Sequence, residues 1–334
     1  MKRRDILQST LAAFAVLILI LDTRTVIAGA QEGITLCLRS VIPSLFPFIV
    51  LTGILGNAII GKQWKLFAPI RKLCGIPKGS ESILVLGFIS GYPVGAQLVA
   101  GAYRDGNINK QDARRMLSFC SNAGPAFIFG IFGPMFTSKL VPWVLWCTHI
   151  ISALMIATIM PNKSNVQCRM TTQGNVSLAD SLEKAIKIMA TVCGWVVIFR
   201  ILLSFLNRWI FWLLPIELQA IISGVLELAN GCVHLAGISN SGAKFLIAGA
   251  LLSFGGLCVF TQTMSVTRGL GCGLYFPGKV MQTVFSFALN SIAQYFLFPD
   301  LERCNIPIAV TALCLVAPVC ITVIAKRKKV VAFA

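Results

Sequence analysis

Long apolar runs recur along the whole chain, and they constrain its fold more than any other feature. Most of them approach the roughly 20 residues that an α-helix needs to cross a hydrocarbon core. The runs lie near 11–21, 41–60, 82–103, 124–136, 140–160, 188–206, 216–236, 244–266, 280–298 and 306–325. Charged residues make up 12% of the 334 positions, against about 25% in a soluble domain. The sequence therefore predicts an all-α polytopic membrane protein with about eight to ten transmembrane helices embedded in a lipid bilayer.

The net charge of +17 fits a membrane protein whose lysines and arginines concentrate in cytoplasmic loops. No basic segment alternates with aromatic residues as a strand-binding surface does, so we expect no nucleic acid partner. A basic protein with few carboxylates suits an anionic solute better than a cationic one.

The twelve cysteines form no CxxC pair, and most lie inside apolar runs, where cysteine acts as a small hydrophobic residue. The two histidines, His149 and His234, each stand alone on an apolar stretch. We therefore expect no disulfide framework, no metal site and no cofactor. No Ser–His, Cys–His or carboxylate pair has a spacing suited to catalysis, so the sequence does not predict an enzyme.

A polar stretch divides the chain near its middle and suggests two membrane halves. We predict a first repeat at 33–160, a polar linker at 161–187 and a second repeat at 188–325. A basic cytoplasmic tail follows at 326–334. Residues 1–32 fit an uncleaved N-terminal anchor helix, which we favour for a bacterial polytopic chain, and also a signal peptide with an Ala-x-Ala site.

Two apolar segments contain glycines followed closely by a glutamine. The first has Gly91, Pro93 and Gly95 before Gln97, and the second has Gly255 and Gly256 before Gln262. A shift of 165 positions superimposes these segments and places Gly91 on Gly256 and Gln97 on Gln262. Corresponding glycine-interrupted segments in two halves are the best sequence indication of a transporter's binding site.

A break in a membrane helix has a physical consequence that points to ligand binding. Peptide groups without helical partners cannot face lipid, and the free N–H groups that begin a half-helix attract an anion. Similar polar breaks occur at Ser121–Asn122 and at Glu227–Asn230. Glu227 places a carboxylate inside the membrane, and an ionisable side chain there indicates a functional role. A structural partner for Lys244 is the alternative role for Glu227. The candidate substrate-binding residues are Ser44, Ser90, Gly91, Tyr92, Gly95, Gln97, Ser121, Asn122, Glu227, Asn230, Gly255, Gly256, Thr261, Gln262 and Arg268.

The basic loops at 62–79 and 104–115 bear on the topology. If the segment 82–103 between them crossed the membrane, the two loops would lie on opposite sides, against the positive-inside tendency. If the 82–103 segment is re-entrant, both loops lie on the cytoplasmic side. If the 33–60 segment is re-entrant instead, the second loop lies on the cytoplasmic side and the first lies outside. The charge pattern predicts a non-crossing segment and leaves open which one it is.

The motifs GFISGYPVGAQLVA, FCSNAGPAFIFG, GVLELANG and SFGGLCVFTQ resemble those of the YlbJ/SpoVV family of sporulation integral membrane proteins, which have a Gate or nucleoside recognition domain. The resemblance covers about 33–325 and implies transport of dipicolinic acid across the outer forespore membrane of a bacterium. The chain is more distantly similar to concentrative nucleoside transporters. That likeness implies hairpin tips at Pro43–Pro47 and Glu227–Asn230, and interrupted helices at Gly91–Gln97 and Gly256–Gln262.

Ser44 stands where the first hairpin of nucleoside transporters carries a carboxylate, which argues against a nucleoside substrate. The dianion dipicolinate would instead need half-helix N-termini, amides and a basic residue. Candidate basic residues are Arg268, Lys279 and Arg104, and candidate stacking residues are Tyr92 and Phe260.

We therefore expect a transporter of a small organic anion, most simply dipicolinate. The alternatives are a nucleoside or other small-solute transporter of the Gate family, and a non-transporting sporulation membrane scaffold. A coupling proton or cation and a homo-oligomer are left open.

Overall fold

The computed structural model describes residues 3–62, 65–160, 177–271, 274–299, 301–302, 304 and 306–331. Within these ranges the chain is helical and contains no β-strand. The α-helices in chain order are α1 (Arg3–Leu21), α2 (Thr23–Leu36), α3 (Ile42–Ile59), α4 (Ala68–Cys74), α5 (Glu81–Ser90), α6 (Val94–Arg104), α7 (Lys110–Cys120), α8 (Pro125–Phe127), α9 (Val141–Ile159), α10 (Leu178–Trp209), α11 (Ile216–Leu226), α12 (Leu228–Ala236), α13 (Ser241–Phe254), α14 (Gly256–Val266), α15 (Tyr275–Leu297) and α16 (Ile308–Val331). The all-α prediction is confirmed.

Five segments in the described part of the chain are long and apolar enough to cross a membrane. They are Thr23–Gly56, Lys110–Met135, Val141–Ile159, Leu178–Trp209 and Ser241–Val266. Shorter apolar helices cover Ala12–Leu21, Glu81–Ser90, Ile216–Leu226 and Ile308–Thr322. The protein is an integral membrane protein, and the number of crossings stays a prediction.

One end of the helical bundle, which we call the basic end, gathers the connection between α3 and α5, the end of α6 and the starts of α7 and α10. There Gly61 N donates to Gly79 O over 2.9 Å. The guanidinium of Arg115 also donates to Gly75 O and to Met160 O, which follows α9. At the opposite end, Arg208 on α10 pairs with Asp22 beside α2.

Two pairs of short helices form hairpins whose arms approach closely because glycines face each other. In hairpin 1, which comprises α5 and α6, a Cβ on Gly87 would lie 3.4 Å from the Gly95 Cα. In hairpin 2, which comprises α11 and α12, a Cβ on Gly231 would lie 2.6 Å from the Gly224 nitrogen. Small residues permit this close backbone contact, as they do between membrane helices.

The same order of elements occurs in both halves of the chain. A long helical segment (α2–α3, then α10) precedes a hairpin, an interrupted helix (α7–α8, then α13–α14) and a further long helix (α9, then α15). Hairpin 1 enters from the basic end and hairpin 2 from the opposite end. The two sets of elements are therefore inverted relative to each other. The predicted domain boundaries stay predictions.

Two expectations about topology need correction. Pro43–Pro47 is not a hairpin tip, since Thr23–Gly56 is one helical segment with a π-helical turn at Cys37–Val41. Gly91–Gln97 is a hairpin tip and not an interrupted helix, which agrees with one of the two alternatives that the charge pattern left open. The helix break at Gly256 and the hairpin tip at Glu227 are as expected.

The 165-residue shift consequently superimposed a hairpin on an interrupted helix. Most of the predicted linker, residues 161–176, lies outside the described residues, as do 332–334 of the tail. The described end of the linker starts α10, where Ser177 and Asp180 form a capping box.

Candidate functional site

The tip of hairpin 1 rests on the interruption between α7 and α8. Gly91 has φ 80°, a backbone conformation that a side chain would strain. A Cβ on Gly91 would lie 2.9 Å from the Gly124 nitrogen. Gly95, the second residue of α6, packs against the carbonyl of Cys120, the last residue of α7. The hairpin tip and the helix break of the first half therefore form one unit.

Tyr92 at this tip connects the first half to the second. Its hydroxyl donates to Leu252 O over 2.9 Å, in the last turn of α13. The next break follows at Gly255, which has φ 82°. A Cβ on Gly255 would lie 3.0 Å from the Tyr92 hydroxyl. The two predicted glycine-rich segments thus lie side by side in the interior.

A buried lysine, Lys279 on α15, lies beside the same tip and is 1% exposed. Its Nζ donates to Asn122 Oδ1 over 3.0 Å and to Gln282 Oε1 over 2.8 Å. It also lies 5.5 Å from the centroid of the Tyr92 ring, within the range of a cation–π contact. Residues from both halves therefore surround this cation.

His149 on α9 extends the polar group. Its Nε2 accepts from Ala123 N over 3.1 Å, so its Nδ1 carries the proton of a neutral ring and donates to Ser253 Oγ, also over 3.1 Å. Gln282 Nε2 donates to His149 O over 3.2 Å. We call Lys279, Asn122, Gln282, His149 and Ser253 the central polar cluster. The role of His149 was not predictable from the sequence, because its partners lie far along the chain.

A cavity of about 610 Å³ opens at the basic end between α3, α6, α10 and α14. Gln97 lines it and is half-buried. Its charged lining consists of Arg104, Lys184 and Lys187, with Asp105 as the carboxylate. Three cations against one anion leave this wall positive, although Lys187 also pairs with Glu183.

Glu227 lies at the tip of hairpin 2, outside the lining of this cavity. Its carboxylate caps α12 by accepting from Ala229 N and Asn230 N over 3.1 and 2.7 Å. Asn230 Nδ2 donates to the same carboxylate, and Asn230 Oδ1 accepts from Arg200 Nη1 over 2.8 Å. Lys244 instead donates to Ala236 O. The suggested pairing of Glu227 with Lys244 is therefore wrong.

The structure places the other candidate residues apart from the cavity. Ser44 and Thr261 donate to carbonyls of their own helical segments. Gln262 donates to Cys258 Sγ over 3.2 Å. Arg268 is exposed in the loop after α14. Ser90 and Ser121 are buried beside the tip of hairpin 1 and the break after α7, and a Cβ on Gly256 would lie 3.0 Å from Gly224 O.

No group of three His, Cys, Asp or Glu side chains that could hold a metal ion occurs among the described residues. The amide oxygens of Asn122 and Gln282 instead accept from Lys279 Nζ. The arrangement thus places one basic side chain between the two helix breaks.

Comparison with known proteins gives a partial match. A stretch of 104 residues, 30% of this chain, is 33% identical to "Sporulation integral membrane protein YlbJ" of Bacillus subtilis (strain 168). The matched stretch covers 26% of that protein, so the chain spans about a quarter of the relative's length. No family model matches the chain. No solved structure matches it. In this stretch the chain is therefore similar to a sporulation integral membrane protein.

Proposed function

We propose that the protein is a membrane transporter of a small organic anion, with dipicolinic acid crossing the outer forespore membrane as its cargo. The observation that carries the proposal is the cavity at the basic end. Its volume of about 610 Å³ lies within the range of small-molecule sites. Arg104 and Lys184 make its mouth attractive to an anion, and its inner wall reaches Gln97, one turn after the tip of hairpin 1.

The arrangement of the hairpins also supports transport. Hairpin arms of 10 and 11 residues (α5 and α6) are too short to cross a bilayer individually, so each hairpin ends inside the protein. Tips that enter from opposite ends beside two helix breaks are typical of carriers that open alternately to the two sides. The partial similarity to a sporulation integral membrane protein supports the sporulation setting and hence dipicolinate.

The test is uptake of radiolabelled dipicolinate into proteoliposomes. We expect uptake above empty liposomes, and a decrease as ionic strength rises, since salt screens the charges at the mouth. The double variant Arg104→Gln/Lys184→Gln should lower the initial rate by about 10-fold. The matched control Lys110→Gln/Arg114→Gln removes two exposed charges of the same end that do not line the cavity.

A folded wild-type protein that takes up no more dipicolinate than empty liposomes would contradict the proposal. Uptake of uridine in place of dipicolinate would identify a nucleoside carrier. No uptake of either solute would support the non-transporting scaffold.

A further inference from the structure

Lys279 is a buried basic residue with no carboxylate partner among the residues that the structure describes. The ion pairs among the described residues are Arg71–Glu81, Lys187–Glu183, Arg200–Glu32 and Arg208–Asp22, and none of them includes Lys279. The groups that face it are amides, the neutral ring of His149, the Tyr92 and Tyr275 rings, and the Cys120 thiol.

Burying an ammonium group among uncharged side chains costs free energy unless a negatively charged group pairs with it. Amide oxygens compensate only part of the lost hydration of a full charge. Ionisable residues inside a membrane protein therefore tend to mark the path of a solute or ion. An ammonium has three donors, and the two amide acceptors, Asn122 Oδ1 and Gln282 Oε1, leave one for a further acceptor.

The position of Lys279 relates it to the cavity. Tyr92, whose ring its Nζ contacts, is two residues from Val94, which lines the cavity. At this tip the Tyr92 hydroxyl donates a hydrogen bond to Leu252 O of α13. Lys279 is not among the residues that line the cavity, so a solute in the cavity reaches it only if this tip is displaced.

We propose that Lys279 is the fixed counter-ion for a carboxylate of the transported anion. This inference rests on the proposed function and adds the residue that pairs with one carboxylate of the cargo inside the protein. The carboxylate accepts from Nζ, while Asn122 and Gln282 hold the ammonium in place.

The experiment compares an anion with an uncharged analogue of the same shape. Uptake of dipicolinate and of its diamide, pyridine-2,6-dicarboxamide, is measured in proteoliposomes containing wild type, Lys279→Met or Lys279→Arg. We expect Lys279→Met to lower dipicolinate uptake by about 10- to 100-fold, the effect of one charge-assisted hydrogen bond, and to spare the diamide. Lys279→Arg should retain part of the anion uptake. Lys244→Met, which removes a half-buried lysine near the opposite end, is the control.

A second variant keeps the proposal testable if Lys279→Met does not fold. Asn122→Asp places a carboxylate 3.0 Å from Nζ, which satisfies the lysine internally and should raise thermal stability while lowering dipicolinate uptake. Full anion uptake by folded Lys279→Met or by Asn122→Asp would overturn the counter-ion role and leave the transporter proposal intact. Absence of uptake by wild type would instead overturn the transporter proposal, and the counter-ion role with it.

Discussion

Arg115 on α7 shows what a buried cation does when its role is structural. It is 3% exposed, and its guanidinium donates to Cys74 O over 2.8 Å, to Gly75 O over 2.5 Å and to Met160 O over 2.9 Å. These carbonyls belong to the C-terminal ends of α4 and α9, where a positive charge is favourable. The planar fork of arginine reaches both ends at once.

Replacement of Arg115 by methionine should destabilise the protein, because it leaves several buried carbonyls without donors. We expect a loss of about 2–4 kcal/mol in the free energy of unfolding. Thermal unfolding in detergent measures it, with the neighbouring exposed Arg114→Met as the control. If Arg115→Met and Arg114→Met had the same midpoint of thermal unfolding, the Arg115 guanidinium would contribute nothing to holding α4 and α9 together.

At the same scale, the chemistry of single residues was only partly predictable from the sequence. Lys279 could be named because an organic anion needs a basic residue. Its partner Asn122 was identified independently, from the break after α7. The role of His149 was missed, since its contact with Ser253 joins residues 104 positions apart. No local sequence pattern indicates such a contact.

At the scale of elements, the two hairpins depend on glycines where their arms cross. A methyl group on Gly231 would meet the Gly224 backbone, and backbone atoms cannot move aside as the end of a flexible side chain can. The arms must therefore separate, and the tip at Glu227 must shift with them.

Gly231→Ala should lower stability by about 1–3 kcal/mol through overpacking and should reduce dipicolinate uptake in proteoliposomes. Gly194→Ala is the matched control, because Gly194 on α10 has no atom within 4 Å of an added Cβ. That control should be neutral or stabilising, since alanine favours a helix by up to about 1 kcal/mol over glycine. A Gly231→Ala protein as stable and active as Gly194→Ala would refute the close crossing of α11 and α12.

Glycine and proline predicted where the helices stop but not what the chain does next. The apolar run at 82–103 has the length of one crossing, yet it folds as two antiparallel arms, α5 and α6. The run at 244–266 looks similar and continues through its break as α13 and α14. The basic loops beside 82–103 bore on the difference, because charge indicates the side of the membrane, but they also left a re-entrant 33–60 segment open.

At the scale of the whole molecule, a fixed sequence offset cannot reveal the relation of the two halves. Glu227 at the tip of hairpin 2 follows Gly91 at the tip of hairpin 1 by 136 positions, whereas Gly256 follows Gly124 by 132. The connections between equivalent elements differ in length, and side chains in the two halves contact different partners. The inversion is visible only where helix ends meet in space.

The inverted arrangement predicts which loops are accessible from each side. Single cysteines are introduced at the exposed positions Lys78 and Lys110 of the basic end, and at Lys139 and Ser239 of the opposite end. The background is a variant in which all twelve native cysteines are replaced. A membrane-impermeant thiol reagent should label the first pair only in inside-out vesicles, because basic loops remain in the cytoplasm. It should label the second pair only in right-side-out vesicles. Labelling of Lys110→Cys and Ser239→Cys from the same side would mean that hairpins 1 and 2 enter from one face, and a carrier that opens alternately to both sides could not be built from them.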